Sequence, residues 1–340
     1  MSGENVPEND FGYPMNFCAY ATRGIIWGQR LLFSKILKGF TDHQPMRHSI
    51  TGQAVNDAIS GLLSSGRPCF VGRFGCVELD AALRGWDISR QNSKLLKAVR
   101  IFTGNYGPFW WDNSIKAGLL RTAGVFPAEE DVLMRFSART LDDSRELDVL
   151  GSWNAREQQL ANIFFPKAKG VPLDDILPFF FKSPWSEALR GKDVLVINPF
   201  VETIKKQYSR REELFADRLV LPEFNLITYK PVTSFLGLDT PYKDWFDALE
   251  AMCSDISKIR FDVAILGCGA YGFSMGAFIK RELRRQAIHL GGATQLLFGI
   301  KGGRWDKWPR FSSFYNDAWT RPGLAERPAN FRQHEGGAYW

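Results

Sequence analysis

The sequence lacks any apolar run close to the roughly 20 residues that a membrane-spanning helix requires. Its polar start, Met1-Ser-Gly-Glu-Asn, also lacks the basic and apolar regions of a signal peptide. Cysteine is sparse, and no two of the five cysteines have the Cys-x-x-Cys spacing. An odd number without that spacing argues against a disulfide framework and a structural zinc site. These absences together predict a cytoplasmic protein.

A strong charge of one sign is also missing. The net charge is +6 over 340 residues, and Lys and Arg are interspersed with Asp and Glu. Nothing in this balance requires a nucleic-acid partner, and none is predicted. The basic residues Arg281, Arg284 and Arg285 are interpreted as a solvated helix face, with a basic groove as the alternative. With 45% hydrophobic residues, the chain has the composition of a globular protein long enough for two lobes.

The most informative stretch is the run from Phe261 to Gly272, in which an apolar segment ends in Gly267-Cys-Gly-Ala-Tyr-Gly272. The apolar segment is typical of a buried strand, and a helix is predicted from Phe273 to Arg285. Glycines at such a turn let the backbone approach a ligand, and the N-terminus of the helix attracts an anion. The turn therefore predicts a nucleotide phosphate site that includes Gly267, Gly269, Tyr271 and Gly272.

This turn lacks the second half of the dinucleotide signature. In NAD and FAD enzymes an acidic residue about 20 positions further on binds the ribose. Here the next predicted strand ends in His289-Leu-Gly-Gly292, which contains no carboxylate. A diphosphate ligand without that ribose contact, such as a sugar nucleotide, is favoured. A dinucleotide, or glycines that only permit a helix to pack on a sheet, are the alternatives.

Strand and helix patterns alternate from residue 191 onward. The predicted elements are strand 193–197, helix 203–217, strand 225–229, helix 244–256, strand 261–266, helix 273–285 and strand 287–290. Such alternation predicts an α/β fold, namely a Rossmann-like, doubly wound and mostly parallel sheet with ligands at the carboxyl ends of its strands. Asn198, at one such end, is a predicted ligand contact.

Four parts are predicted along the chain: an arm (1–45), an N-terminal α/β lobe (46–182), a Rossmann-like nucleotide-binding lobe (183–310) and a C-terminal tail (311–340) that wraps over the surface. In the arm, residues 25–40 place apolar side chains opposite Arg30, Lys35 and Lys38. Such a helix either lies on an anionic membrane surface or docks on its own domain. In the N-terminal lobe, helix 51–64, strand 68–71 and a turn into a helix ending near residue 84 are predicted. The topology between residues 86 and 170 stays open.

The predicted crevice contains several candidates for chemistry. His289 is expected to act as an acid or base or to hydrogen-bond a phosphate, with a satisfied core histidine as the alternative. Gly291 and Gly292 form a second glycine turn and a second backbone anion site, and Gln295 follows in the first turn of the next helix.

Three residues just beyond that helix, Lys301, Arg304 and Trp305, bring two cations and a large ring. They are expected to neutralise a diphosphate leaving group or to stack on a base, with a polar surface turn as the alternative. Glu202 and Asp244 are further candidates for a base, and each is alternatively an ordinary helix-start or surface acid.

Arg73 and Glu78 flank a tight turn after the first predicted strand. A carboxylate at such a place can hold a divalent cation that bridges phosphates, and the arginine can hold the carboxylate or a phosphate. A buried Arg–Glu pair that fixes the turn is the alternative.

Four segments resemble the GT-D type glycosyltransferases, and specifically the GT-D-like domain proteins of bacterial surface-polysaccharide gene clusters. They are Arg73-Phe-Gly-Cys-Val-Glu78, Asn198-Pro-Phe-Val-Glu-Thr-Ile204, Gly267-Cys-Gly-Ala-Tyr-Gly272 and the run from His289 to Trp305. The resemblance covers about residues 50–310. It implies a GT-D fold, a nucleotide-activated donor such as a UDP-sugar, and transfer of the sugar to a polysaccharide or lipid-linked glycan. Glu78, His289 and Arg304 are the catalytic candidates.

The chain departs from this family at its metal motif, which is Asp-x-Glu within a segment like Arg-Phe-Gly-Asp-Gly-Glu. Arg73 and Glu78 match, whereas Cys76 takes the aspartate position. Because Mn²⁺ and Mg²⁺ prefer oxygen ligands, the thiol weakens the expected site. Either Glu78 holds the metal with weaker help, for example from Asp80, or the protein works without metal, or its activity has changed.

The leading hypothesis is a glycosyltransferase in the cytoplasm or on the inner face of the inner membrane. A catalytically silent nucleotide-sugar-binding or scaffold protein of a polysaccharide assembly complex is the second. An oxidoreductase on a similar sheet is the third.

Overall fold

The structure, a computed structural model, describes residues 45–90, 111–238 and 240–340. The predicted arm and its amphipathic helix lie outside the described residues. The described chain forms one sheet of seven parallel strands: β1 (Cys69–Gly72), β2 (Val149–Ser152), β3 (Lys169–Pro172), β4 (Asp193–Ile197), β5 (Asn225–Tyr229), β6 (Val263–Leu266) and β7 (Gln286–His289). Every residue of β1, β2, β6 and β7 is buried, as expected for a parallel sheet that is covered on both faces.

The strand order is β3-β2-β1-β7-β6-β4-β5, and each neighbouring pair is parallel. The prediction of an α/β, Rossmann-like sheet is thereby confirmed. The sheet register places Val71 beside Ile288 and Leu266 beside His289. The carboxyl ends of β1, β6 and β7 are therefore neighbours, although their sequences are far apart.

Helices cover both faces of the sheet. They are α1 (Gln53–Ser64), α2 (Cys76–Ser89), α3 (Asn113–Gly118), α4 (Glu130–Asp143), α5 (Glu157–Phe164), α6 (Val201–Tyr208), α7 (Trp245–Ser257), α8 (Tyr271–Arg281), α9 (Thr294–Leu297) and α10 (Pro309–Ser312). Successive strand side chains point to opposite faces, so Phe70 and Val71 belong to two different apolar clusters. One cluster contains Phe136 and Trp245, and the other contains Trp185.

Two predicted helices end earlier than their sequence patterns indicate. The helix predicted over 203–217 is α6, which ends at Tyr208, where the tyrosine hydroxyl donates a hydrogen bond to the carbonyl of Phe224. The helix predicted over 273–285 is α8, which ends at Arg281, and Arg284 then adopts a left-handed φ of 55°. After each of these two helices the chain turns to reach the next strand.

The pairing of β1 with β7 places strands from the two predicted lobes in one sheet. Between residues 111 and 172 the chain forms α3, a π-helical turn (Leu119–Ala123), α4, β2, α5 and β3, which supplies the topology left open above. The C-terminal part packs more deeply than the expected surface tail, since Phe311 and Trp319 are buried. Among the residues described here, no helix has the length and apolarity to cross a membrane.

Candidate functional site

The carboxyl ends of the strands open into a cleft of about 1090 Å³, a volume that includes space open to solvent. Loops after β1, β2, β4, β6 and β7 all contribute to it. Ligand sites of open α/β sheets lie at this edge. Most of the predicted site residues line this cleft: Arg73, Glu78, Asn198, Gly267, Gly269, Tyr271, His289, Gly291, Gly292, Gln295 and Arg304.

Three predicted site residues do not line the cleft. Gly272 packs against the imidazole of His289 and is not exposed to the cleft. The ammonium group of Lys301 lies 5.3 Å from the ring centre of Tyr315, outside the cleft. Trp305 is buried and lines a smaller neighbouring cavity with apolar side chains such as Leu290. The structure therefore does not bring the ring of Trp305 or the charge of Lys301 to the cleft.

Arg73 follows β1 and places its guanidinium in the cleft. The guanidinium lies 5.2 Å from the ring centre of Trp153, and a Cβ added to Gly291 would lie 3.5 Å from its Nη1 atom. Within the described ranges, this guanidinium makes no hydrogen bond and has no carboxylate within salt-bridge distance. A half-buried cation without a carboxylate partner is suited to bind an anion such as a phosphate.

Glu78 lies in the first turn of α2, and its carboxyl group folds back over Gly75, where a Cβ would collide with it. Burial raises the pKa of Glu78, the positive charge of Arg73 opposes this rise, and the negative charge of Glu335 adds to it. A carboxyl group in a cleft with a raised pKa is suited to accept a proton.

The side chains around Glu78 do not fit a dedicated Mn²⁺ or Mg²⁺ site. Cys76 presents a thiol at the start of α2, and Asp80 pairs instead with Arg84 at 3.1 Å. In the part of the chain that the structure describes, no group of three or more His, Cys, Asp or Glu side chains could hold a metal ion. Because these ions require several oxygen ligands, Glu78 beside Arg73 is a poor donor set for them.

His289, the last residue of β7, is buried. Its Nδ1 atom lies 3.3 Å from the carbonyl oxygen of Leu266, which only accepts, so Nδ1 carries the proton and Nε2 is an acceptor. Burial, with a further contribution from the positive charge of Arg73, lowers the pKa of His289 to about 3. The imidazole is therefore neutral and weakly basic at neutral pH. Because its one N–H donates to Leu266, the imidazole offers the cleft only an acceptor: it can accept a hydrogen bond from a hydroxyl group but cannot donate one to a phosphate.

The first glycine turn is tightly packed. A Cβ on Gly267 would lie 2.7 Å from the carbonyl oxygen of Gly291, and Gly269 has a φ of 60°. The N–H of Ala270 donates to the carbonyl of Ala123 at 3.4 Å, so that carbonyl covers part of the N-terminus of α8. Close packing thus accounts for Gly267, and the left-handed backbone accounts for Gly269. Arg73 lies instead by the second turn, at Gly291, and Arg304 lines the same cleft.

The predicted contacts Asn198, Gln295 and Tyr271 hold the loops in place. The Asn198 amide donates to the carbonyl of Gly267 (3.2 Å), and its oxygen accepts from the N–H of Phe200 (2.9 Å). The Gln295 amide donates to three backbone carbonyls, those of residues 300, 301 and 339. Tyr271 contacts the Ser234 hydroxyl at 2.9 Å and stacks on Trp245.

The remaining base candidates lie outside the cleft. Asp244 caps α7 by accepting from the N–H of Asp247 (2.9 Å), and it pairs with Arg135 (3.1 Å). Glu202 is exposed and pairs with Lys205 at 2.9 Å. Both positions match the alternative stated for them, that of ordinary helix-start or surface acids.

The C-terminal segment contributes cleft residues that the sequence analysis missed: His334, Glu335, Tyr339 and Trp340. The Glu335 carboxylate pairs with the Arg304 guanidinium, which also lies 4.6 Å from the ring centre of Tyr339. The backbone N–H of Arg304 donates to the carbonyl of Ala338 at 2.9 Å. The only signal in the sequence was the aromatic content of the tail, which does not indicate where a tail docks.

Trp153 was also missed. Its loop is held by Glu157, whose carboxyl group accepts hydrogen bonds from the Ser152 hydroxyl, the Trp153 N–H (3.0 Å) and the Asn154 amide (2.9 Å). The Trp153 indole N–H donates to the carbonyl of Phe74 at 3.0 Å. Glu157 is fully buried, and this burial raises its pKa to about 7. The network fixes the ring on which Arg73 packs.

Comparisons with protein-family models, with curated proteins and with solved structures find no match for this chain.

Proposed function

We propose that the cleft binds a nucleotide-diphosphate sugar and that the protein transfers the sugar to a polysaccharide or lipid-linked glycan, as a GT-D-like glycosyltransferase. The observation that carries the proposal is the guanidinium of Arg73, which has no carboxylate partner among the described residues and lies in the crevice at the strand ends. The four segments that resemble the GT-D family supply this crevice, which supports a sugar nucleotide as the ligand.

The diphosphate is proposed to lie beside the second glycine turn. Arg73 packs against Gly291, and Arg304 also lines the cleft together with Gly292. Two guanidinium groups next to backbone N–H groups form strong, charge-assisted hydrogen bonds to phosphate oxygens. Aromatic rings on the cleft wall, among them Trp153 and Phe235, offer flat apolar faces for a base or a sugar ring.

In the proposed reaction, an acceptor hydroxyl oxygen forms a bond to the anomeric carbon of the donor sugar. The bond between that carbon and the diphosphate oxygen breaks, and the diphosphate leaves with the electron pair. The proton of the acceptor hydroxyl passes to the Glu78 carboxylate, whose raised pKa makes it a better base than an ordinary glutamate. Arg73 and Arg304 stabilise the charge that develops on the diphosphate. Neutral His289 contributes a hydrogen-bond acceptor.

The proposal assigns neutralisation of the diphosphate to arginines rather than to Mn²⁺ or Mg²⁺. We also propose that the donor is used in the cytoplasm or at the inner face of the inner membrane. The predicted helix over residues 25–40 would supply the membrane contact.

A catalytically silent binding or scaffold protein is the second candidate. It is favoured by Cys76 at the expected metal aspartate and by the weakly basic His289. The substitution Cys76→Asp separates the two candidates. If activity was lost with the aspartate, the variant gains turnover that depends on Mn²⁺. If the protein is a transferase that works without metal, the variant gains none.

The proposal is tested by calorimetric titration with UDP, GDP and several of their sugars, each with and without Mn²⁺, and with NAD⁺ as the control for an oxidoreductase. We expect binding of a diphosphate nucleotide, little effect of Mn²⁺ and no binding of NAD⁺. Release of free nucleotide from the bound donor then measures transfer or hydrolysis. Absence of binding by every diphosphate would refute both candidates.

A further inference from the structure

We propose that residues 331–340, the C-terminal segment, are a built-in competitor for the anion position of the cleft. The carboxylate of Glu335 takes the place of a phosphate on Arg304, and the segment must move away when a diphosphate binds. This inference rests on the function proposed above and adds a mode of regulation to the same site.

The ion pair between Glu335 and Arg304 is the first observation. The two side chains are 31% and 19% exposed, so the pair is partly shielded from water. The negative charge of Glu335 also raises the pKa of Glu78. The Glu335 carboxylate therefore lies among the groups that the proposed donor would contact. Because Arg304 cannot be fully paired with Glu335 and with a phosphate at once, the two anions compete.

The ring of Tyr339 is the second observation. A Cβ on Gly292 would lie 2.3 Å from the Cε1 atom of this ring, and the Tyr339 carbonyl accepts a hydrogen bond from Gln295 at 3.1 Å. The ring therefore covers the second glycine turn, where the backbone N–H groups are expected to face a phosphate. The segment thus contacts both groups that are proposed to bind the anion, namely the Arg304 guanidinium and the second glycine turn.

The backbone of the segment is the third observation. Glu335, Gly336 and Gly337 have φ values of 49°, 70° and 82°, so three successive residues are in the left-handed region. This conformation is unfavourable for Glu335, which has a Cβ. The arrangement is held by the pair with Arg304, by a hydrogen bond between His334 Nδ1 and the Arg121 carbonyl (3.1 Å), and by ring contacts such as His334 with Phe235. Further hydrogen bonds to the carbonyls of Ala338 and Tyr339 also hold the segment, and loss of the ion pair removes its charged anchor.

The first test compares the wild-type protein with Glu335→Gln by calorimetric titration with UDP and with inorganic pyrophosphate. If the bound segment lowers the fraction of molecules whose cleft is open, neutralising Glu335 raises that fraction. The apparent affinity for UDP and pyrophosphate then increases several-fold. The matched control is Glu130→Gln, which removes an exposed carboxylate paired with Lys116 at 3.2 Å, away from the cleft. Equal or weaker binding by Glu335→Gln overturns the inference, because Glu335 would then contribute nothing or would itself contact the ligand.

The second test measures amide hydrogen exchange of residues 331–340 and needs no ligand for its first arm. We expect faster exchange in Glu335→Gln and in Arg304→Gln than in wild type and Glu130→Gln. Unchanged exchange in both variants overturns the inference whatever the ligand. In the second arm, saturating UDP is expected to speed exchange of the segment in the wild type. Slower exchange shows instead that the segment closes over the ligand, and this overturns displacement while leaving the proposed function intact. Absence of UDP, GDP and pyrophosphate binding in wild type and Glu335→Gln refutes the proposed function itself, and the competition with it.

Discussion

Gly272 packs directly against the imidazole of His289, and a Cβ at position 272 would lie 2.5 Å from both Cε1 and Nδ1 of that ring. The third glycine of the glycine-rich turn is therefore required by the packing of a buried histidine on the neighbouring strand. The glycine spacing, which in the sequence predicts a phosphate site, here also has a structural cause.

The substitution Gly272→Ala should destabilise the protein, because the added methyl group overpacks the imidazole. We expect a loss of about 1–3 kcal/mol in the free energy of unfolding, measured by urea denaturation. The matched control is Gly61→Ala in α1, where a Cβ meets nothing within 4 Å. That change should stabilise the protein by about 0.5–1 kcal/mol, since alanine is the better helix former. Equal effects of the two substitutions would contradict the contact between Gly272 and His289.

Glu157 should make stability depend on pH. Its pKa rises from 4.5 to about 7 in the folded protein because of burial, so folding favours its protonated form. The stabilisation is fully present below pH 4.5 and is lost as the pH rises to about 7, by roughly 3 kcal/mol at about 1.4 kcal/mol per pKa unit. Denaturation of the wild type and of Glu157→Gln at several pH values should show that the variant lacks this decrease. The exposed control Glu187→Gln should retain it, and an identical pH dependence in all three proteins would contradict the assignment.

Arg73 should dominate the affinity for a diphosphate. The variant Arg73→Gln loses a charge-assisted contact of about 1.5–3 kcal/mol, so UDP binding should weaken about 10- to 100-fold. Arg73→Lys should recover part of the loss, because it keeps the charge without the planar fork. Arg218→Gln, which removes an exposed arginine paired with Glu212 at 3.3 Å, is the control for net charge. Titration calorimetry measures all four proteins, and equal weakening by Arg73→Gln and Arg218→Gln would show a nonspecific charge effect.

Cys76 should react with iodoacetamide in the folded protein, and a bound diphosphate nucleotide should slow the reaction because the thiol lines the cleft. Cys69, Cys253 and Cys268 should remain unmodified until the protein unfolds. They are buried, and burial raises the pKa of the Cys69 and Cys253 thiols to about 12. Mass spectrometry of each cysteine peptide gives the rates. Reaction of Cys76 at the same rate with and without saturating UDP would contradict its place beside the ligand.

Much of the sheet could be predicted from local patterns. The strands 193–197 and 225–229 have the predicted bounds. The first is a short apolar run that is buried from Val194 to Ile197, as expected inside a parallel sheet, whereas the second lies at the edge of the sheet and is only partly buried. The positions of Arg73, Glu78 and His289 at one edge also follow from the rule that loops at the carboxyl ends of parallel strands converge. Helix ends were less predictable, because α6 and α8 stop where tertiary contacts and a left-handed residue turn the chain.

The sequence by itself determined the α/β class, the parallel sheet and the edge at which a ligand is expected, because these depend on periodicity and on glycine spacing. Only the tertiary structure decided which polar groups remain available there. It committed Asn198 and Gln295 to loop carbonyls, made His289 a buried neutral imidazole, and brought Glu335 from the distant tail onto Arg304. Burial, pairing and charge at a site depend on neighbours from remote parts of the chain, and no local pattern specifies those neighbours.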